Sequence, residues 1–217
     1  KMNKKICDSK AVIQVIGSIY QNPELLDNEQ YTFNEDDFPM DFHKVMFGSI
    51  YNLHALGAKS ITVNTIEDYL EQRPQKLAIY RANNGAEWID KVKDTVSLAT
   101  FDYYYKRLKK FTLLRMYDNI GVDIKSIYDV DNILDLKKKQ KQEEWLDNVS
   151  IEEIADKINN KIEDIKLKYV DNSSDDIVSA GEGGDELLEE LLSTPNFGYP
   201  MYGKYINKIF RGARFGC

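Results

Sequence analysis

Cysteine is nearly absent. Cys7 and Cys217 stand at opposite ends of the 217 residues, and no CxxC pair occurs. That usage argues against a disulfide framework or a cysteine zinc site, and fits a reducing compartment such as the cytoplasm. The two histidines, His43 and His54, have no ligand-type spacing, so no metal site is expected. No run of about 18 uncharged apolar residues exists to span a bilayer. The apolar run Ala11 to Tyr20 follows a basic start but lacks a small-residue cleavage site, so it does not read as a signal peptide. A basic surplus is missing too: 36 acids outnumber 29 lysines and arginines, for a net charge of −7. Chains that grip nucleic acid by its backbone usually show the opposite balance, which disfavours a sequence-specific DNA-binding regulator. The local clusters Lys106, Arg107, Lys109, Lys110 and Lys137, Lys138, Lys139, Lys141 are read as solvated helix faces.

Catalytic groupings are also missing. The paired carboxylates Asp36-Asp37, Asp175-Asp176 and Glu189-Glu190 are adjacent, and adjacent residues of a helix do not face each other. Capping or solvated roles are expected for them. No Ser/His/Asp or Cys/His arrangement is evident, and His43 reads as a packed helix residue. The run Tyr103-Tyr104-Tyr105 could stack bases, but without a basic groove it reads as packing. The phosphate-cradling pattern GxxxxGK[ST] does not occur. The Gly-rich piece Gly181-Glu182-Gly183-Gly184 has no following Lys-Ser/Thr and sits among acids that would repel phosphate. No catalytic, cofactor-binding or metal-ligating residue is therefore assigned.

With 42 % apolar and 30 % charged residues, the chain can build a folded core. Periodicity points to helices almost throughout, hence an all-α fold. Asp8 or Ser9 can cap a helix carrying Val12, Val15, Ile16, Ile19 and Tyr20 on one face. Gly17 within it costs roughly 1 kcal/mol relative to alanine, which points to close packing against another helix. Asn22-Pro23 stops that helix and sends Leu25 and Leu26 inward, and residues 28–40 read as loop. A second helix from about Asp41 turns Val45, Met46, Phe47, Ile50, Leu53 and Leu56 inward and ends at Gly57. Asn64 and Glu67 then form a capping-box pattern for a helix with Ile66, Tyr69 and Leu70 that ends before Pro74. A further helix is expected over Ala86 to Val96, on Trp88, Ile89 and Val92.

Beyond Thr100 the pattern narrows. Leu113, Tyr117, Ile120, Ile124 and Ile127 are spaced 4, 3, 4, 3. Ser150 with Glu153 forms a capping box, behind which Ile151, Ala155, Ile158, Ile162, Ile165 and Tyr169 continue the same spacing. Two such seams in one chain most simply make a protruding antiparallel helical hairpin over about residues 101–170, joined through a partly helical stretch at 129–149. The hairpin residues Leu113, Tyr117, Ile120, Ile124, Ile158, Ile162 and Ile165 are the candidates for packing and association. Residues 171–184 read as a flexible linker. Residues 185–194 form a short helix with a single stripe, Leu187, Leu188, Leu191 and Leu192. A helix this short is marginal alone in water, so the stripe is expected to dock. Residues 195–217 are aromatic, Gly-rich and basic, and read as the opening of another domain.

Three stretches resemble one family. Asp36-Asp37-Phe38, His43-Lys44, Phe47, Ile50, Leu53, Leu56-Gly57, Ile61-Thr62-Val63, Ile66 and Leu70 are similar to the N-terminal domain of DnaB-type replicative helicases. Val15-Ile16-Gly17 with Asn22-Pro23-Glu24-Leu25-Leu26 resembles its opening, and Tyr103-Tyr104 through Leu113-Leu114-Arg115 its long hairpin helix. The resemblance covers residues 9–128 and continues more loosely to 217. Phe111 stands where the family usually has a basic residue, 129–149 looks like an insertion, and 73–85 is irregular beside the family. The resemblance implies that residues 1–170 are the N-terminal helical domain of a ring-forming, hexameric, ATP-driven helicase, here without its motor. It implies that the leucine stripe docks on a neighbouring subunit, and that Gly198, Pro200, Ile206, Arg211-Gly212 and Gly216 begin a RecA-like domain. Primase or a helicase loader are the implied partners. ATP, Mg²⁺ and single-stranded DNA would bind outside these residues. The alternative is a non-enzymatic helicase-interacting module: a primase's helicase-binding domain, a loader or an inhibitor.

Overall fold

The computed structural model describes residues 3–131 and 135–169. The linker, the leucine stripe Leu187, Leu188, Leu191 and Leu192, and the basic tail lie outside the described residues. Among those described, the chain is all-α, with eight α-helices and three short 3₁₀ turns. The helices are α1 (Ser9–Gln21), α2 (Asp41–Ala55), α3 (Val63–Glu71), α4 (Pro74–Ala82), α5 (Gly85–Thr95), α6 (Phe101–Asn119), α7 (Leu136–Asn148) and α8 (Ile151–Tyr169). One compact unit runs to residue 160; a second begins at 161, inside α8.

Local chemistry explains where these helices start. Asp8 caps α1, its carboxylate accepting from the Ala11 amide at 3.0 Å. Pro23 and Pro74 open their helical turns, where a missing N–H costs nothing. The Ser150–Glu153 capping box at α8 closes in both directions, at 2.7 and 3.0 Å. The cap of α3 lies two residues earlier than the sequence pattern predicts. Thr62 and Thr65 exchange side-chain and backbone bonds there, and Asn64 is already inside the helix. Helix α4 occupies the 73–85 stretch, whose apolar residues form no clean stripe.

The first core gathers α1 through α5 and the first half of α6. Val12, Val15, Ile16 and Ile19 of α1 meet Val45, Met46 and Ile50 of α2, Ile66 and Leu70 of α3, and Ile89 of α5. Gly17 explains how closely α1 and α5 approach: a Cβ there would lie 2.5 Å from Val92 Cγ1 and 2.7 Å from Val96 Cγ1. Leu56 departs from the predicted inward set. It follows the last turn of α2 and is 75 % exposed. The 28–40 stretch is a loop with structure of its own. Phe38 and Asp37 are fully buried, and Tyr105 clamps Thr32 by accepting from its amide at 2.9 Å and donating to its carbonyl at 3.1 Å.

His43 packs in α2 beside Phe42 and Trp88, and its Nδ1 has no hydrogen-bond partner. Burial holds its pKa below the ordinary 6.5, because the charged ring cannot be solvated there. The unfolded chain therefore binds the proton more readily, and the stability this histidine contributes is present above pH 6.5 and lost as pH falls below it. Thermal melts from pH 8 down to 5 are expected to show a decline beginning near 6.5 that His43→Gln removes; an identical slope in the variant would disprove the assignment.

The second core is smaller and sits where the hairpin is predicted. Phe111 and Leu114 of α6, Ile124 and Ile127 of the following loop, Leu146 of α7, and Ile154 and Ile158 of α8 close around Ile6. Helix α6 does not continue through Ile120, Ile124 and Ile127 as their spacing predicts. It ends at Asn119, and Gly121, at φ +90°, turns the chain through a conformation that L side chains rarely adopt. Ile120 is left 71 % exposed, while Ile124 and Ile127 reach the same core from a turn. The seam between α6 and α8 is thus shared with this loop and with α7.

Candidate interaction surface

Four of the cations on α6 are spent inside the protein. Arg115 is fully buried and donates to the carbonyls of Ile6 (2.8 Å), Asp36 (2.6 Å) and Asp37 (3.1 Å) and to Thr112 Oγ1 (3.0 Å). One planar guanidinium thereby ties the N-terminal segment and the Glu35–Asp37 turn to α6. Lys109 donates to both oxygens of the buried Asp37 carboxylate, at 3.1 and 3.0 Å. Asp37 also closes a capping box with Asn34. Arg107 is mostly buried and bonds three carboxylates, those of Asp8, Glu143 and Asp147, so that it joins the start of α1 to α7. Lys110 donates to the Leu146 carbonyl at 2.7 Å, capping the end of α7, and burial lowers its pKa. The solvated face predicted for residues 106–110 is corrected here. Only Lys106 of the four is a plain surface residue, paired with Asp102 one turn away at 2.7 Å.

No side-chain set resembling an active centre forms among the described residues. No group of three or more His, Cys, Asp or Glu could hold a metal ion there. His54 bonds Asp27 at 2.9 Å near the surface. Cys7 is partly buried, and burial pushes its thiol up against the lowering effect of Arg115, which keeps it protonated and poorly nucleophilic. Among the described residues no helix is long and apolar enough to cross a membrane.

What the fold does present is apolar surface. On α8 the seam runs from the interior outward: Ile154 and Ile158 are buried, while Ile162 is 40 % and Ile165 60 % exposed. Ile158, Ile162 and Ile165 recur at helical spacing, so one stripe begins as core and continues as surface. Of the other predicted association residues, Leu113 and Tyr117 pack half-buried against the second core, Ile124 is within it, and Ile120 lies outside. A separate cleft of about 580 Å³ opens between α2 and α4. Phe33, Phe47, Tyr51 and Ile79 line it, with Lys44 and Lys76 also at its edge. Sequence reading missed this cleft because α4 was not recognised as a helix.

Residues 6–110 match the family described as DnaB-like helicase N terminal domain. The chain carries a DnaB-like helicase N-terminal domain. The matched stretch contains the whole first core and ends at Lys110, at the entry to the second. Over 208 residues, 95 % of the chain, it is 39 % identical to the SPbeta prophage-derived uncharacterized protein YorI of Bacillus subtilis (strain 168). That similarity therefore extends past the family stretch across α7 and α8. The chain spans 41 % of that relative's length. No solved structure matches the chain. The stretch that matches the family thus comprises α1–α5 and the first half of α6, and Arg107 and Lys110 join it to the second core.

Proposed function

We propose that this chain is the scaffold and interaction region of a ring-forming, hexameric, ATP-dependent replicative DNA helicase, and that it performs no chemistry itself. The observation that carries this reading is the outward continuation of the α8 seam. Ile162 and Ile165 are large apolar side chains at helical spacing, and both are exposed. A second copy of the same seam would bury them by coiled-coil packing. In this reading Leu187, Leu188, Leu191 and Leu192 bolt one subunit to the next. Primase or a loader engages the assembled collar. ATP, Mg²⁺ and single-stranded DNA bind in a RecA-like domain of the longer protein, working in the cytoplasm.

Light scattering of the chain across a concentration series tests the assembly step. Wild type is expected to self-associate. Ile162→Lys with Ile165→Lys is expected to weaken association roughly a hundredfold, since two apolar anchors together contribute about 3 kcal/mol. Helicity by circular dichroism should be unchanged, because both side chains are exposed. A wild type that stays monomeric, or a variant that assembles as well as wild type, would overturn the reading.

A further inference from the structure

The first two turns of α7 carry Lys137, Lys138, Lys139 and Lys141, all exposed. None has an ion-pair partner among the described residues. This is unusual in two ways. A helix N-terminus carries a partial positive charge, so lysines placed there are mutually and dipolarly repelled. The chain as a whole is acidic, with a net charge of −7, and could have supplied carboxylates. The neighbouring acids are all committed elsewhere. Asp135 caps the helix by accepting from the Lys138 amide at 3.0 Å. Asp131 pairs with Lys125 and Lys5, and Asp129 accepts from the Asp131 amide. Glu143 is turned to Arg107 and Tyr128, and Glu144 to Gln140. At 100° per residue, Lys137, Lys138 and Lys141 fall within one third of the helix circumference. Arg107, Lys110 and the packing of Leu146 fix the other end of the helix.

We propose that this lysine face of α7 binds the phosphate backbone of nucleic acid. It does not rest on the ring-assembly reading. Uncompensated, flexible ammonium groups in a row are suited to phosphates, where binding is driven by release of condensed counterions. Base recognition is not built in: the three side-chain amides of α7 are engaged, Gln140 with Glu144, Gln142 with Asp129 and Asn148 with the Glu144 carbonyl. The contact is therefore sequence-independent. A membrane surface is a poorer fit, because Leu146 is buried and Trp145 half-buried against the second core, which leaves α7 with a single exposed large apolar residue, Leu136, and no apolar face to insert.

The test is fluorescence anisotropy of the full chain with a labelled oligothymidylate and with a labelled mixed-sequence duplex, across a salt series. Wild type is compared with the triple substitution Lys137→Gln, Lys138→Gln and Lys141→Gln. Salt-dependent binding to either probe is expected. In the variant, affinity should fall roughly tenfold or more, and the log–log salt slope should flatten by about 2, the value for three lost phosphate contacts on a single strand. Circular dichroism should show helicity retained, since removing charge at this end relieves repulsion. No binding by wild type, or a variant with the same affinity and slope, would overturn the proposal. So would a variant altered only in self-association, which would assign the lysines to an acidic surface of a second copy.

Discussion

Replacing Arg115 by methionine is expected to lower the unfolding free energy by about 3–5 kcal/mol. Methionine fills much of the volume but donates nothing. The carbonyls of Ile6 and Asp37, both buried, and of the half-buried Asp36 then lose the donor that satisfies them. Each such stranded group costs about 1–3 kcal/mol, partly offset because no guanidinium has to be desolvated. In a chain of this size the loss corresponds to a fall in melting temperature of roughly 10 °C. Arg115→Lys should not rescue it, because a point-like ammonium cannot serve carbonyls on two segments as a planar fork does. Thermal denaturation followed by circular dichroism measures this directly. A methionine variant melting with wild type would show that the N-terminal segment and the Glu35–Asp37 turn are held by something else.

The second large effect is expected at Arg107. Methionine there leaves the carboxylates of Asp8, Glu143 and Asp147 facing one another without a cation. The cost is about 2–3 kcal/mol, below that of a fully enclosed network because Asp147 remains in contact with water. It should be local. Amide exchange in α7 is expected to accelerate by roughly a hundredfold, while α1 through α5 keep their protection. Uniform acceleration over both cores, or none in α7, would contradict the role of Arg107 as the fastening between the DnaB-like domain and α7.

The all-α class was legible in the sequence because capping residues and apolar stripes agreed. Asp8, Pro23, Gly57 and Ser150 each punctuate the chain where reading them predicts. The end of α6 was not legible, for a physical reason. Ile124 and Ile127 are buried, so the hydrophobic signal was genuine, but burial alone does not distinguish a helix from a turn that reaches the same core. The true inward stripe of α6 runs Phe101, Tyr105, Leu108, Thr112, Arg115. Its last two members are polar, and their burial depends on partners distant in sequence that no local pattern displays. The same holds for Arg107 and Lys109, which look like surface charge until Asp8, Glu143 and Asp37 are brought to them. The α8 seam was legible as a stripe. Where core gives way to surface along it was not, because that depends on where the neighbouring elements stop.

The central claim is that these residues act as a scaffold, and unwinding of a forked duplex by the longer protein tests it most directly. ATP hydrolysis with and without single-stranded DNA should be measured alongside, with the 217-residue chain as control. The account predicts DNA-stimulated hydrolysis and unwinding by the longer protein and neither by the chain. It further predicts that Ile162→Lys with Ile165→Lys abolishes unwinding although neither residue touches the motor. Unwinding that survives these substitutions, or hydrolysis absent from the longer protein, would contradict it.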